Sequence, residues 1–455
     1  MKQLPTEFLE TKDKRYLWHP FTQMRDWKEE EILIIRKGEG VYLEDTGGRR
    51  YLDGVSSLWC NVHGHQVPEI DAAIRNQLTQ VAHSTFLGLS NVPAIELAEK
   101  LVRIAPQGLT RVFYSDSGSE AVEIALKMAF QYWRQRGVPK KNKFLKLTNA
   151  YHGDTLGAVS VGGIDLFHEI YSPLLFKTFS APSPYRYRWP GGGDRERVKK
   201  ESLAAMERVL KLHHKEIAAL VMEPLMQGAA GMIDQPPGYI SSVRELTKGY
   251  NTLLIFDEVA TGFGRTGAMF ASHHEGVTPD LMAVGKGLTG GYLPLAATLA
   301  TEEIYNAFLG DYSDFKTFFH GHTYTANPLA CRAALASLEL FRKKNVLEGL
   351  KPKIRYLSKR LQDFVRIPII GDVRQIGFMV GIELVRNKKT KTPFSRKDPI
   401  GIRVARRARG KGAILRPLGP VIVLMPPLAM TEKELGRLLD ITYESIEEVK
   451  SEIRI

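Results

Sequence analysis

Cysteine and long apolar runs are what this 455-residue chain has least of. Its two cysteines, Cys60 and Cys331, stand alone, and neither belongs to a C-x-x-C pair. A disulfide scaffold or a thiolate metal site needs paired or clustered cysteines, so the sequence argues against both and favours a reducing compartment. No apolar run approaches the length of about 20 residues that spans a bilayer. The first five residues also lack the apolar region of a signal peptide, so we expect a cytoplasmic protein.

Acidic residues are also in deficit. There are 63 Lys and Arg against 50 Asp and Glu, which gives a formal net charge of +13. Excess positive charge is typical of nucleic-acid-binding proteins. Here the basic residues are dispersed apart from the runs 386–391 and 403–411, and no nucleic-acid-binding motif accompanies them. We therefore favour a basic enzyme over a nucleic-acid-binding protein, which would show salt-sensitive binding and no coloured cofactor.

Short apolar runs alternate with amphipathic stretches through most of the chain. This alternation predicts an α/β fold with a mostly parallel sheet covered by helices on both faces. The predicted strands are Arg111–Tyr114, Lys143–Leu147, Ile217–Met222, Thr252–Phe256 and Leu281–Val284. The predicted helices between them are Ala94–Ile104, Glu120–Arg136, Leu203–His213 and Ile240–Tyr250.

A second unit is indicated towards the C-terminus. A predicted helix from about residue 325 to 342 is followed by strand candidates at 378–385 and 421–425. We expect residues 61–330 to form a large domain and residues 331–455 a smaller α+β domain. Residues 1–60 are expected to be an N-terminal segment that contributes to the small domain and to a substrate pocket.

Lys286 is the most informative residue of the sequence. It follows the apolar run Leu281–Val284 and lies between Gly285 and Gly287. Burial lowers the pKa of a lysine and leaves a neutral, nucleophilic amine, with which an aldehyde cofactor condenses. Asp257 ends a neighbouring predicted strand, where its carboxylate would hold a proton on a pyridinium nitrogen. The alternative is a structural ion pair between Asp257 and Lys286, and the two residues alone do not decide between them.

Several other segments follow predicted strands, where open parallel sheets bind ligands. Ser115–Glu120 begins a helix, and Gly118 and Ser119 there can bind a phosphate; a capping box from Ser117 to Glu120 is the structural alternative. Tyr151 in Asn149–Asp154 can stack on an aromatic cofactor, the alternative being an ordinary turn.

Three further segments carry weaker signals. Thr323 in Phe319–Thr323 can bind a phosphate, and the nearby histidines lack a third ligand for a metal. Arg416 can bind a carboxylate, although a surface arginine has the same spacing. Gly262–Gly267 matches G-x-G-x-x-G but does not follow a strand directly or open a helix, so we reject dinucleotide binding and expect Arg265 to structure the site entrance.

Taken together, these segments resemble one known family. Asp257–Gly267 and Gly285–Gly291 resemble the class III aminotransferases, which are fold type I enzymes that use pyridoxal 5'-phosphate. Five other segments resemble the branch of this family that acts in biotin synthesis: Trp18–Met24, Asp53–Trp59, Asp116–Ser119, Tyr151–Asp154 and Arg416–Gly419. The resemblance implies a homodimer with shared active sites. It also implies ping-pong transfer of an amino group from S-adenosylmethionine to 8-amino-7-oxononanoate, which forms 7,8-diaminononanoate.

The resemblance also assigns roles to residues. Lys286 matches the lysine that holds the cofactor, Asp257 the acid on its ring nitrogen, and Tyr151 the catalytic residue stacked on its ring. Gly118 and Ser119 match the phosphate-binding residues, and Thr323 matches a phosphate ligand supplied by the partner subunit. His322 matches a cofactor-binding residue that lines the same side. The matches to the substrate pocket are Phe21, Leu58, Trp59, Tyr151, Lys286, Gly321 and Arg416. No metal site is implied.

Three positions depart from the family pattern. Phe21 and Val423 each replace an expected tyrosine, and Leu58 replaces a second tryptophan. These changes alter the amino-donor side of the pocket, so lysine stays open as a donor beside S-adenosylmethionine. The nearest alternative function is a class III aminotransferase for ornithine, γ-aminobutyrate or a β-amino acid. A mutase or decarboxylase of the same fold is a more distant alternative.

Overall fold

A seven-stranded sheet, here called the central sheet, forms the middle of the molecule. The computed structural model describes residues 4–395 and 397–453, so residues 1–3, which belong to the segment searched for a signal peptide, lie outside it. From one edge to the other, the strands are Leu109–Ser115, Ala296–Thr301, Leu281–Val284, Leu253–Asp257, Ile217–Met222, Lys143–Leu147 and Phe179–Ala181. Only Ala296–Thr301 runs antiparallel to its neighbours. The prediction of a mostly parallel sheet is confirmed, and all five predicted strands belong to it.

The central sheet is buried on both faces because its strands are apolar at successive positions. Leu254 and Phe256 point into one hydrophobic cluster, while Leu253 and Ile255 point into another on the opposite face. The helix Gly118–Gln135 packs in the second cluster through Val122, Leu126 and neighbouring residues. Two core layers therefore sandwich the sheet, and its polar strand ends are left to form a site.

Helices cover the sheet and its surroundings. The α-helices are Thr6–Tyr16, Met24–Glu29, Ser56–Trp59, Pro68–Leu78, Val92–Ile104, Gly118–Gln135, Leu156–Ser160, Asp165–His168, Arg195–His213, Tyr239–Gly249, Glu302–Ala307, Pro328–Lys343, Val346–Phe364, Ile400–Gly410 and Glu432–Ser451. The four helices predicted between strands are present, and Arg195–His213 begins eight residues earlier than expected. Only a short 3-10 turn, Ala271–His274, follows Gly262–Gly267, which agrees with the rejection of dinucleotide binding.

Two smaller sheets lie outside the central one. The N-terminal strands Ile35–Glu39, Tyr42–Asp45 and Arg50–Asp53 are joined by Ala413–Ile414, which pairs in parallel with Leu52 and Asp53. The C-terminal sheet contains the strands Ile370–Ile376, Met379–Asn387, Val421–Leu424, Arg416–Leu418 and Thr392–Pro393. N-terminal residues thus share a sheet with C-terminal ones, and the division into domains at residues 60 and 330 stays a prediction.

Two features of the structure bear on the expected cytoplasmic location: the character of its helices and the state of its cysteines. Within residues 4–395 and 397–453, no helix combines the length and apolar character required to cross a membrane. Cys60 and Cys331 are both free thiols. The cytoplasmic location stays a prediction.

Candidate active site

A cavity of about 460 Å³ opens at the carboxyl end of the central sheet. It brings together six of the predicted site residues: Trp59, Gly118, Ser119, Tyr151, Asp257 and Lys286. The other lining residues are His152, Gly153, Asp154, Thr155, Glu223, Val259 and Ala260. These residues come from separate strand ends and from the start of one helix. One site therefore collects them, as the topology of a parallel sheet predicts.

Lys286 is presented to the cavity by a strained turn. It follows the strand Leu281–Val284 and begins a 3-10 turn with a φ of +45°, a value that non-glycine residues seldom adopt. Its Nζ lies 5.6 Å from the centroid of the Trp59 ring. Burial lowers the pKa of Lys286, and the negative charges of Asp257 and Glu223 oppose this shift. Desolvation therefore favours the neutral amine that a covalent role requires.

Asp257 is a buried carboxylate held in a fixed orientation. It is the last residue of the strand Leu253–Asp257. His152 Nδ1–H donates to its Oδ2 at 2.8 Å, and the Val259 backbone N–H donates to its Oδ1 at 3.0 Å. His152 is itself buried, and its Nε2 finds no hydrogen-bond partner among the described residues. The pair can hold a negative charge pointed at a cationic ligand group.

Glu223 is a site residue to which sequence reasoning assigned no role. It follows the strand Ile217–Met222, so its position at a strand end was the only available signal. Its carboxylate accepts hydrogen bonds from the backbone N–H groups of Tyr151 at 3.2 Å and Gly228 at 2.8 Å. Burial raises its pKa to about 7, while nearby His152 opposes that shift. Glu223 therefore changes its charge near neutral pH.

The start of the helix Gly118–Gln135 forms an anion-binding surface. The predicted capping box is present, since the Ser117 hydroxyl accepts from Glu120 N–H and the Glu120 carboxylate accepts from Ser117 N–H. This structural role coexists with an open helix start beside the cavity. A side chain at Gly118 would lie 2.5 Å from Val259 Cγ1, so only glycine allows this close approach. The positive end of an 18-residue helix favours a phosphate there.

The segment that carries Tyr151 is tied to that helix start. Ser119 Oγ accepts hydrogen bonds from Asp154 N–H at 2.9 Å and Thr155 N–H at 3.1 Å. Gly153, which precedes Asp154, has a φ of +117°, and a Cβ on it would meet Ser119 Oγ at 2.1 Å. The Tyr151 hydroxyl donates to Asp154 Oδ2 at 2.7 Å, which fixes the ring beside the cavity.

Arg265 supports the cavity from behind. Its buried guanidinium donates to the carbonyl oxygens of Pro426 at 2.7 Å, Asn61 at 2.9 Å and Trp59 at 3.3 Å. Burial lowers the pKa of Arg265 to about 10. Trp59 has a φ of +65°, and these carbonyl contacts hold its backbone in that conformation. Arg265 was expected at the site entrance, but it is buried and does not line the cavity; its contacts are with the backbone that carries Trp59.

The remaining predicted residues do not line this cavity. Phe21 lines a neighbouring cavity of about 570 Å³, which also contains Asp154 and Phe167. Leu58 is 48% exposed, and Arg416 is exposed on the strand that pairs with Val423. Val423 is buried in the same cluster as Trp59, so this strand forms part of the surrounding wall.

The segment Gly321–Thr323 also lies outside the cavity within one chain. Gly321 and Thr323 are exposed, while His322 Nδ1 lies 3.6 Å from Asp116 Oδ2 and 3.5 Å from Glu120 Oε2. These three side chains are close enough for a cation, yet exposed acidic groups of this kind commonly occur without one. Neither Gly321 nor Thr323 lines the cavity of the chain to which it belongs.

Known proteins of similar sequence and fold match nearly the whole chain. Residues 24–446 match the family described as aminotransferase class-III. An adenosylmethionine-8-amino-7-oxononanoate aminotransferase from Aquifex aeolicus is 55% identical over 454 residues, covering 100% of both chains. The crystal structure of the enzyme with that name from Methanocaldococcus jannaschii has a TM-score of 0.94 and 50% identity, covering 98% of this chain and 99% of that one.

A more distant structure supports the same family. The omega transaminase of Pseudomonas jessenii in complex with PMP has a TM-score of 0.94 and 31% identity, covering 98% of this chain and 99% of that chain. The family match, the full-length relatives and the shared fold agree with the site geometry. This chain belongs to the class III aminotransferases.

Proposed function

We propose that this aminotransferase binds pyridoxal 5'-phosphate in the 460 Å³ cavity and converts 8-amino-7-oxononanoate to 7,8-diaminononanoate in biotin synthesis. The observation that carries the proposal is the shared cavity of Lys286 and Asp257 in a chain 55% identical to an enzyme named for that acceptor. The proposed amino donor is S-adenosylmethionine, which the relatives' name includes; lysine is the alternative.

The residues present fit such a cofactor. The lowered pKa of Lys286 provides an amine for covalent attachment, and the oriented Asp257 carboxylate matches a ring nitrogen. The helix start at Gly118 and Ser119 matches a phosphate. His152 Nε2 is a buried polar atom without a hydrogen-bond partner in the described part of the chain, and a ligand would satisfy it. When bound, pyridoxal phosphate supplies an aldehyde carbon for attachment and a ring that accepts an electron pair.

Two residues move or hold the protons of the reaction. Lys286 Nζ would take the proton from the donor's Cα in the first half-reaction, and would give a proton to C7 of the product in the second. Asp257 keeps a proton on the ring nitrogen through its negative charge, which the His152 and Val259 hydrogen bonds orient. Tyr151, whose hydroxyl donates to Asp154, would hold its ring beside the cofactor and limit access of water from that side.

The substrate side of the proposed site is mainly apolar. Trp59, Leu58 and Phe21 would contact the aliphatic chain of the keto acid, and Arg416 would bind its carboxylate through paired N–H groups. Arg416 makes no ion pair with any carboxylate among the described residues, so its charge is available. Its strand neighbour Val423 connects it to the wall around Trp59.

A homodimer with shared sites is part of the proposal. Large apolar side chains are exposed around the segment that would reach the other subunit, including Leu87 at 79%, Phe319 at 75% and Tyr324 at 59%. Exposed apolar side chains of this size favour a protein interface. In the dimer, Gly321, His322 and Thr323 of the partner subunit would complete the phosphate and substrate side of each cavity.

A donor comparison tests the proposed reaction. The cofactor-loaded enzyme is incubated with S-adenosylmethionine, lysine, ornithine, γ-aminobutyrate or β-alanine, and loss of the visible cofactor band is followed. 8-Amino-7-oxononanoate is then added and 7,8-diaminononanoate is quantified. We expect S-adenosylmethionine to give the fastest conversion and the product to form. A faster reaction with lysine corrects the donor alone, whereas conversion only with the other amines, without the diamine product, overturns the proposed function.

A further inference from the structure

A short hairpin lies between the C-terminal sheet and the cavity. Its strands are Met226–Gln227 and Ile233–Asp234, and residues 226–234 are here called the cavity hairpin. Gly228 N–H donates to Glu223 Oε2 at 2.8 Å. A Cβ on Gly228 would lie 3.2 Å from the Trp59 ring, so the hairpin backbone packs directly against that ring. The cavity hairpin therefore supports two groups that line the cavity.

Arg374 holds the far end of this hairpin from the C-terminal sheet. It lies on the strand Ile370–Ile376 and is only 3% exposed. Its Nη2 donates to the Gly231 carbonyl oxygen at 2.7 Å, and its Nε donates to the Met232 carbonyl oxygen at 2.9 Å. A guanidinium presents its donors in a rigid plane, so two adjacent carbonyls held in this way fix the hairpin's position.

Two carboxylates keep Arg374 in place. Its Nη1 donates to Asp372 Oδ2 at 2.9 Å and to Glu383 Oε2 at 2.6 Å. Arg188 donates to the other oxygen of Glu383, and Tyr185 also donates to Glu383. A buried cation is stable only when it is paired and hydrogen-bonded, and these contacts engage four of the five guanidinium N–H groups of Arg374.

Gly381 brings the hairpin close to the sheet beside Arg374. It is the strand partner of Arg374 on Met379–Asn387. A Cβ on Gly381 would meet the Gly231 carbonyl oxygen at 2.8 Å and Met232 Cβ at 2.9 Å. The absence of a side chain here lets the hairpin approach until both carbonyls reach the guanidinium.

We propose that Arg374 is a positioning residue of the aminotransferase: by holding the cavity hairpin, it fixes the Glu223 carboxylate and the Trp59 ring against the substrate. Arg374 binds the carbonyl oxygens of Gly231 and Met232 in the hairpin. Elsewhere in the same hairpin, Gly228 contacts the Glu223 carboxylate and the Trp59 ring. Met226 and Met232 also pack with Trp59 in one hydrophobic cluster, which couples the hairpin to the ring. This inference rests on the proposed function for its substrate.

The test replaces Arg374 by glutamine and compares it with a matched control. Arg188→Gln removes another guanidinium from the same Glu383, but Arg188 contacts none of the hairpin carbonyls among the described residues. We expect Arg374→Gln to raise the KM for 8-amino-7-oxononanoate by about 10-fold or more, since small misplacements of positioning groups have effects of that order. Amide hydrogen exchange in residues 226–234 should accelerate in this variant only. The Arg188→Gln enzyme should keep a KM within about 2-fold of the wild type.

Two further variants keep the test decisive if Arg374→Gln folds poorly. Gly381→Ala leaves Arg374 intact but pushes the hairpin away, and should raise the same KM. Arg374→Lys retains the charge and one donor to the carbonyls, and should recover part of the lost affinity. Equal KM changes in Arg374→Gln and Arg188→Gln, or an unchanged KM in Gly381→Ala, would overturn the inference. If the wild-type enzyme does not use 8-amino-7-oxononanoate at all, the proposed function is wrong. The hydrogen-exchange comparison would then still test whether Arg374 holds the cavity hairpin.

Discussion

Replacement of Gly118 by alanine tests the close packing at the proposed phosphate site. The new Cβ would lie 2.5 Å from Val259 Cγ1 and 2.9 Å from Val259 Cγ2. Ordinary carbon contacts begin near 3.5 Å, so the helix start or Val259 must move by about 1 Å. Both residues line the cavity, so a movement of either one changes the cofactor-binding surface.

The size of the effect follows from the overlap. Forcing an extra methyl group into a tight contact costs about 1–3 kcal/mol. If the movement displaces the helix start, most of this cost appears as weaker cofactor binding, which corresponds to a Kd for pyridoxal phosphate raised about 10- to 100-fold. The melting temperature of the protein without cofactor should change much less, because strain at a helix start is partly relieved when no ligand holds it.

A double-mutant cycle measures this packing directly. Val259→Ala removes both Cγ atoms and leaves only the Val259 Cβ, 3.2 Å from the new methyl group. Pyridoxal phosphate is titrated into the four forms of the protein, and binding is followed by absorbance. We expect Gly118→Ala to cost less in the Val259→Ala background than alone, with a coupling of about 1 kcal/mol or more. Additive effects of the two substitutions would refute the packing argument.

Two other predictions concern the cavity and its support. Burial raises the pKa of Glu223 to about 7 from an ordinary 4.5. The folded protein without cofactor should therefore lose stability as the pH rises from about 4.5 through 7. Glu223→Gln should remove up to about 3 kcal/mol of that loss, measured as the difference in the free energy of unfolding in urea between pH 5 and pH 8. An identical pH dependence in the two proteins would contradict the assignment. Arg265→Met should lower the free energy of unfolding by about 3 kcal/mol or more, because it leaves the carbonyls of Trp59, Asn61 and Pro426 unpaired in the interior. A loss below about 1 kcal/mol in denaturant unfolding would show that these carbonyls find other partners.

The strands of the central sheet were predictable where continuous apolar runs mark burial on both faces. Ile217–Met222 is buried at every position and was predicted with its exact bounds. Ala296–Thr301 was missed because its small residues give a weak apolar signal. Its antiparallel direction depends on insertion between Leu109–Ser115 and Leu281–Val284, a tertiary event that local periodicity does not encode.

The residues of the candidate site were likewise only partly predictable from the sequence. Lys286 and Asp257 were accessible to sequence reasoning because each follows a strong strand signal and carries an unusual charge for that position. Glu223 has the same kind of position, but its importance depends on contacts with Tyr151 and Gly228 that only the fold creates. Arg374 gave no signal, since its partners Gly231 and Met232 lie more than 140 residues away.

The central claim, that Lys286 holds pyridoxal phosphate, is tested most directly by borohydride reduction of the cofactor-loaded enzyme followed by peptide mass spectrometry. Lys199→Ala provides a control, because Lys199 is a half-buried lysine that donates to the Pro237 carbonyl and does not line the cavity. We expect one stable cofactor adduct on the peptide that contains Lys286, in both the wild type and Lys199→Ala. Lys286→Ala should lack both the adduct and the visible absorption. An adduct on another lysine, or normal absorption in Lys286→Ala, would contradict the account.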